Sequence, residues 1–259
     1  MSLSKIDIDT VQPNGKRGET QRPAFTKVNA AIDMLSSLSS GSILGLTMEY
    51  LGVASVRLYG GSCHVQSSDV MVQIQTQDLT IAGIQPFTAY HLYVDGAGST
   101  PAAVFSTAAP SAPFAGNARS MTGNTARRYI GTVITNASAQ IHRFQQNGDE
   151  VSYLTNNANP FRVLSGGTAA VRTAVSLSNI VPPTANYAQV MIINNANEQL
   201  FVDIPELGNV GAVSRYSCQG GQRVCLTTAA PSRTLQYFYG SSPTGGGAFI
   251  DVYSYRYLR

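Results

Sequence analysis

Tryptophan is absent from the 259 residues, cysteine and histidine occur three times each, and charged residues make up only 12% of the chain. That charge content is about half that of an ordinary globular protein. Lysine stops early: Lys5, Lys16 and Lys27 are the only three, and every later cation is arginine. The net charge of +3 is spread along the chain, with no basic run longer than Arg127–Arg128. A surface that tracks phosphates needs clustered cations, so nucleic acid is not an expected partner. No run approaches the ~18 apolar residues of a membrane helix, so no membrane insertion is expected. The opening MSLSKIDIDT lacks the apolar core of a secretory signal, so synthesis and folding in a cytoplasm are expected.

The same scarcity bears on chemistry. His64, His91 and His142 have no second His, Cys or carboxylate at ligand spacing. Cys63 and His64 are neighbours, and neighbours leave a strand on opposite faces. No P-loop, dinucleotide fingerprint or GxSxG elbow is present. Carboxylates are few: Asp149–Glu150 sit in a turn, and Asp203 and Glu206 flank Pro205. A glycosidase needs two acids set roughly 5–10 Å apart across a cleft, an arrangement that sequence alone neither gives nor forbids. No enzyme activity and no cofactor are expected.

What fills the chain is small and polar: Gly, Ser, Thr, Asn and Gln between short apolar runs. An apolar fraction of 43% is enough for a core, which argues against disorder. Residues 1–42 form a first segment. KIDIDTVQ alternates Ile6 and Ile8 as a strand does, and a turn, QPNGKRGET, follows. A helix is then expected from near Thr20, with Pro23 in its first turn. Phe25, Val28, Ile32 and Leu35 make one apolar stripe along it at 3-4-3 spacing. The stripe covers under two heptads, too few for a self-sufficient coiled coil. It fits either a helix packed on a neighbouring surface or a contact between copies or with another protein.

Residues 43–160 read as strands near 44–50, 55–59, 63–66, 70–77, 88–94, 103–106, 128–135 and 142–146. VMVQIQTQ sets Val70, Val72 and Ile74 against Met71, Gln73 and Gln75, the pattern of a sheet with one wet face. Short strands at this spacing point to a β-sandwich. Residues 161–259 give about seven more strands. In the last, Ile250 and Val252 oppose Asp251 and Tyr253, and Tyr255 and Tyr257 share a face beyond. A hairpin centred on Gly220–Gly221 would set Cys218 and Cys225 close in register. A disulfide is then open to them, although cytoplasmic folding favours buried thiols. Cys63 reads as a core residue. The fold expectation is mainly β: a strand and a short helix, then two antiparallel sandwich domains.

Binding candidates are aromatic and loop residues. Tyr237 and Tyr239 end one strand, and Tyr253 and Tyr255 lie on the last. Tyrosine offers a flat apolar face and a hydrogen-bonding tip, which suits glycan and protein recognition. Packing in a core or at a seam between copies is the plainer reading of alternate tyrosines. Ser241, Ser242 and Thr244 lie in the loop 241–247, whose glycines imply flexibility.

The order of pieces from Tyr90 to Phe144 is distinctive: YHLYV, a Gly turn, a small-residue strand ending in STAAPSAPF, then NARSMTGNTARRYIGTV. It resembles a segment found in bacteriophage tail-fibre and receptor-binding proteins. NGKRGETQRPAFTKVNAAIDML resembles the N-terminal attachment region of phage tail proteins. RVLSGGTAAVRTAVSLSNIVPPTANYAQV and the closing FIDVYSYRYLR resemble the jelly-roll sandwich at fibre ends. The resemblance implies a virion tail protein made in a host cytoplasm and assembled as a homotrimer. Residues 1–42 would join tail or baseplate proteins through the helix stripe. Residues 43–160 would form a shoulder, and residues 161–259 a jelly-roll-like tip facing a host glycan, pilus or protein receptor. A structural fibre adaptor or capsid fibre is the alternative reading, and a polysaccharide-degrading tailspike a second one.

Overall fold

Runs of β-branched and aromatic residues alternating with small polar ones, cut every few residues by Gly, Pro or Asn, favour short strands over helices. A computed structural model describes residues 11, 13–17, 23–29, 41–154, 161–205, 216–229 and 232–259. Among these residues the chain is mainly β, with twenty strands and antiparallel pairing throughout. Residues 23–29 are helical (α1). The expected strand at Ile6 and Ile8 lies outside the described residues, as do Ile32 and Leu35.

In the first segment, β1 (Ile43–Gly45), β4 (Gly61–Val65) and β5 (Val70–Ile74) form a three-stranded sheet. The order β8-β7-β10-β9 joins β7 (Ala89–Asp95), β8 (Ala102–Ser106), β9 (Ser120–Met121) and β10 (Asn124–Ile134). The expected single strand 70–77 is broken. β5 ends at Ile74 and pairs with β4, and β6 (Gln77–Thr80) changes sheet to pair with β3 (Ser55–Leu58).

Eight of the described strands follow residue 160. They are β13 (Arg162–Gly167), β14 (Thr173–Ser176), β15 (Ala185–Asn194), β16 (Leu200–Asp203), β17 (Tyr216–Cys218), β18 (Arg223–Ala229), β19 (Thr234–Tyr239) and β20 (Ala248–Tyr257). One sheet carries them in the order β13-β20-β15-β18 and the other in the order β14-β19-β16-β17. Counted from the first strand, these orders are 1-8-3-6 and 2-7-4-5. That alternation between two facing sheets is the jelly-roll connectivity. It separates Cys218 from Cys225. β17 and β18 lie in opposite sheets, Cys218 opposite Leu200 and Cys225 opposite Met191. The turn between them crosses the sandwich and is not a hairpin. Both thiols are free, Cys218 buried and Cys225 exposed.

The boundary near residue 160 is crossed by hydrogen bonding. β12 (Glu150–Tyr153) pairs with the end of β20, Glu150 opposite Arg256 and Ser152 opposite Ser254. From β12 the same sheet continues through β11 (Phe144–Asn147), β2 (Met48–Gly52), β3 and β6. Both segments therefore share one nine-stranded sheet.

Aromatic rings fill the junction. Tyr129 lies 6.0 Å from Tyr257, Tyr255 lies 6.0 Å from Tyr257, and Tyr153 lies 5.7 Å from Tyr255. The phenols find partners across it: Tyr255 donates to the Thr132 carbonyl at 2.7 Å, and Tyr153 to the Ile180 carbonyl. The Tyr129 hydroxyl is bonded to Thr132 and Thr184. A bulge sets this arrangement. Register shifts between Gln189, opposite Ser254, and Val190, opposite Val252, so Tyr253 is skipped. One extra residue reverses which face follows. Tyr255 and Tyr257 therefore continue the buried face of Ile250 and Val252 rather than that of Asp251. Gly131 sits where a Cβ would come within 2.5 Å of the Tyr257 hydroxyl and 2.7 Å of Met48 Cε. The absent side chain is what lets β10 approach the final strand.

Candidate functional site

The jelly-roll connections divide between two ends. The connection after β14, residues 177–184, faces the first segment: Tyr153 bonds Ile180 and Tyr129 bonds Thr184. The connections 168–172, 195–199, 219–222 and 240–247 gather at the opposite end. Asn197 donates its N–H to Thr244, Asn195 to Gly247, and Gly221 to Asn194, while Tyr239 donates to Ala169.

One side chain organises this end. Asn194, wholly buried at the end of β15, uses all of its near amide capacity. Its Nδ2 donates to the carbonyls of Glu198 at 2.7 Å and Cys218 at 2.9 Å. Its Oδ1 accepts from the Ala196 N–H at 3.0 Å and from the Tyr239 hydroxyl at 2.9 Å. Three connections thus hang on one amide. A second clamp lies at the rim, where the Glu198 carboxylate accepts from the Thr244 N–H at 2.7 Å and from its hydroxyl at 2.8 Å. These two bonds hold the Glu198 carboxyl below its ordinary range.

The sequence candidates separate in this light. Ser241, Ser242 and Thr244 are exposed at this end. Tyr237 and Tyr239 are buried, so their faces are not offered to a partner. The Tyr237 hydroxyl accepts from the Ala169 N–H at 3.4 Å, and Tyr239 carries Asn194, so both prop the loops from beneath. Tyr255 belongs to the buried junction. Tyr253 is half-buried on the sheet, far along β20 from the loop end, with its hydroxyl 4.0 Å from the Met191 sulfur. The packing reading of the tyrosines holds for Tyr237, Tyr239 and Tyr255.

The glycines of 240–247 also have another role than the expected flexibility. A Cβ on Gly246 would stand 2.4 Å from the Asn195 carbonyl oxygen, and one on Gly247 2.7 Å from the Gly166 backbone. They permit close approach of backbones. Sequence reading missed the buried role of Asn194: NNANEQ holds three asparagines, and nothing in it marks the first as the buried one.

Elsewhere, each carboxylate singled out in the sequence that the structure describes, save Glu150, is ion-paired: Asp149 with Arg259 at 3.2 Å and Asp203 with Arg172 at 2.9 Å. Glu206 lies outside the described residues. No group of three or more His, Cys, Asp or Glu among the described residues is placed to hold a metal ion. On α1, Phe25 is 65% and Val28 38% exposed, so the described half of the stripe faces solvent. Arg128, from the Arg127–Arg128 pair, is fully buried and donates to the carbonyls of Arg119, Tyr129 and Gly41. Comparison with protein-family models finds no match, and none is found among curated proteins.

Proposed function

We propose that the chain is a bacteriophage tail protein of the receptor-binding type, in which the loop end of the jelly roll meets a host surface structure. The observation that carries this reading is the gathering of four connections at one end, three of them tied at Asn194, while the other end is packed against the first segment. Recognition surfaces of this kind are loops held by a rigid scaffold. The surface offered is polar and nearly uncharged, with Asn195, Asn197, Gln219, Gln222, Ser241 and Ser242 exposed. It suits hydrogen bonding to a glycan or to a protein backbone. The homotrimer rests on the family resemblance, and several modest sites on one particle then act together by avidity. The exposed Phe25 and Val28 support attachment of residues 1–42 to a tail or baseplate protein.

Two measurements on reassembled particles test this. Ser241→Arg with Ser242→Arg keeps every glycine and clamp. It is expected to melt within about 2 °C of the parent and to reduce host adsorption roughly tenfold or more. Unchanged adsorption removes the loop end from receptor binding. A chain starting at Ser39, which keeps the Gly41 carbonyl bonded by Arg128, is expected to fold and to be missing from particles. Normal incorporation refutes the attachment role.

A further inference from the structure

The solvent face of the nine-stranded sheet carries a shallow groove of about 250 Å³ where the jelly roll meets the first segment. Residues directly opposite on neighbouring strands share a face, and two such rows line the groove. In one row β15, β20 and β12 present Tyr187, Arg256 and Glu150. In the next, β18, β15 and β20 present Thr227, Gln189 and Ser254.

The bulge in β20 builds this face. Strict alternation would send Ser254 and Arg256 into the core behind Ile250 and Val252. Because Tyr253 is skipped, they turn to the other face instead, opposite Gln189 and Tyr187. Bulges that re-aim side chains in this way concentrate beside active sites. Ser254 forms the floor, its hydroxyl donating to Gln189 Oε1 at 3.4 Å. The other groups stand open to solvent: Tyr187 is 43% exposed, and Gln189, Thr227, Glu150 and Arg256 are exposed as well.

The lining fixes the chemistry of an occupant. Glu150 and Arg256 face each other without an ion pair, and Arg256 does not lie over the Tyr187 ring. A solvent-exposed pair gains at most about 1 kcal/mol by closing, so a ligand parts it at little cost. The two charges cancel, which favours a neutral occupant. A guanidinium only donates hydrogen bonds and a carboxylate only accepts them, whereas a hydroxyl does both. Two adjacent hydroxyls on one ring therefore satisfy both heads. The flat apolar face of Tyr187 suits the C–H face of a sugar, and the Gln189 amide and Thr227 hydroxyl take a further hydroxyl in either sense.

We infer that this groove binds one neutral sugar ring, stacked on Tyr187, with adjacent hydroxyls shared between Arg256 and Glu150. Both segments contribute, Glu150 from the first and the other groups from the jelly roll. The site lies toward the opposite end of β15 from Asn194 and does not rest on the loop end, so either can fail alone.

The test is saturation-transfer difference NMR on the full chain. Glucose, galactose, N-acetylglucosamine and rhamnose are each titrated through the millimolar range, with glycine as a zwitterionic control. At least one sugar is expected to show saturable transfer, strongest at its ring C–H protons, and glycine none. Tyr187→Ala is expected to weaken that binding roughly tenfold, a change of about 1.4 kcal/mol. Glu150→Gln keeps the shape of an exposed side chain, so it should melt within about 2 °C of the parent. It too is expected to weaken binding roughly tenfold, because a charged acceptor is lost. The inference is overturned if none of the four sugars binds, if glycine binds in their place, or if either variant that melts like the parent binds sugar as tightly as the parent. Double substitution at Ser241 and Ser242 is expected to leave this binding unchanged.

Discussion

Above pH 10 the fold is expected to fail cooperatively, with tyrosine ionisation and loss of structure on one curve. Tyr129, Tyr153, Tyr255 and Tyr257 are enclosed at the junction. Burial raises all four phenols above their ordinary value of 10.0, Tyr129 to about 12 and the others further. An acid raised in this way keeps its proton in the fold and gives it up in the unfolded chain. Its stabilising share is therefore whole below pH 10 and falls as pH climbs toward the folded value. Four such groups weaken the fold by about 5 kcal/mol per pH unit, at about 1.4 kcal/mol each. Arg128 opposes this. Desolvation lowers it to about 10, so its destabilising charge is shed as pH rises, returning about 1.4 kcal/mol per unit. The loss over these five groups, about 4 kcal/mol per unit, exhausts an ordinary stability of roughly 5–15 kcal/mol within a few units. Absorbance at 295 nm and far-ultraviolet circular dichroism, read on the same samples, check this. If the phenols ionise while the dichroism persists, the junction is open to solvent and the packing argument fails. Tyr255→Phe removes one titrating group and is expected to shift the alkaline midpoint upward.

The local signals in the sequence were good guides to local structure. The runs from Tyr90, Ala103 and Arg128 fall in β7, β8 and β10, because alternation and turn residues report on nearest neighbours. Long-range pairing has no such signature. Glu150–Tyr153 is too short to stand out, yet this strand, β12, ties the first segment to β20 a hundred residues later. The fate of the tyrosines turned on one bulge. Strict alternation puts Tyr255 on the face of Tyr253, and an extra residue between Val252 and Ser254 sends it into the core. The cysteine turn misled for a related reason. A Gly-Gly turn between two strands fits a hairpin as well as a crossing between facing sheets, and only the partners Leu200 and Met191 decide it. The serines of the candidate loop were legible because exposed polar residues between strands are ordinarily loops. The amide beneath them was not, since its role comes from four groups on three stretches of chain, two of them distant in sequence.

That amide gives the other large expected effect. Asn194→Ala is expected to lower stability by about 4 kcal/mol and the melting temperature by about 10 °C. It should reduce host adsorption with no exposed residue altered. The substitution strands the Tyr239 hydroxyl, the Ala196 N–H and the carbonyls of Cys218 and Glu198. Tyr239, Ala196 and Cys218 are almost wholly buried, so water reaches their polar groups only if the loops open. A buried group left unpaired costs about 1–3 kcal/mol. Asn194→Asp separates the two halves of the amide. It keeps the acceptor for Ala196 and Tyr239, loses both donations, and sets a carboxylate against two carbonyl oxygens, so it should be no milder than alanine. Tyr239→Phe removes one bond and leaves the other three, and is expected to cost about 1–2 kcal/mol. The two changes share a partner, so they should not add: Asn194→Ala made in the Tyr239→Phe background is expected to cost less than in the parent. Denaturant melts of the two single variants, the double variant and the parent measure this. Full additivity would mean that Asn194 and Tyr239 act separately and that the loop end is not held as one unit. Adsorption that survives a lowered melting temperature would leave the scaffold intact and take the receptor contact away from these loops.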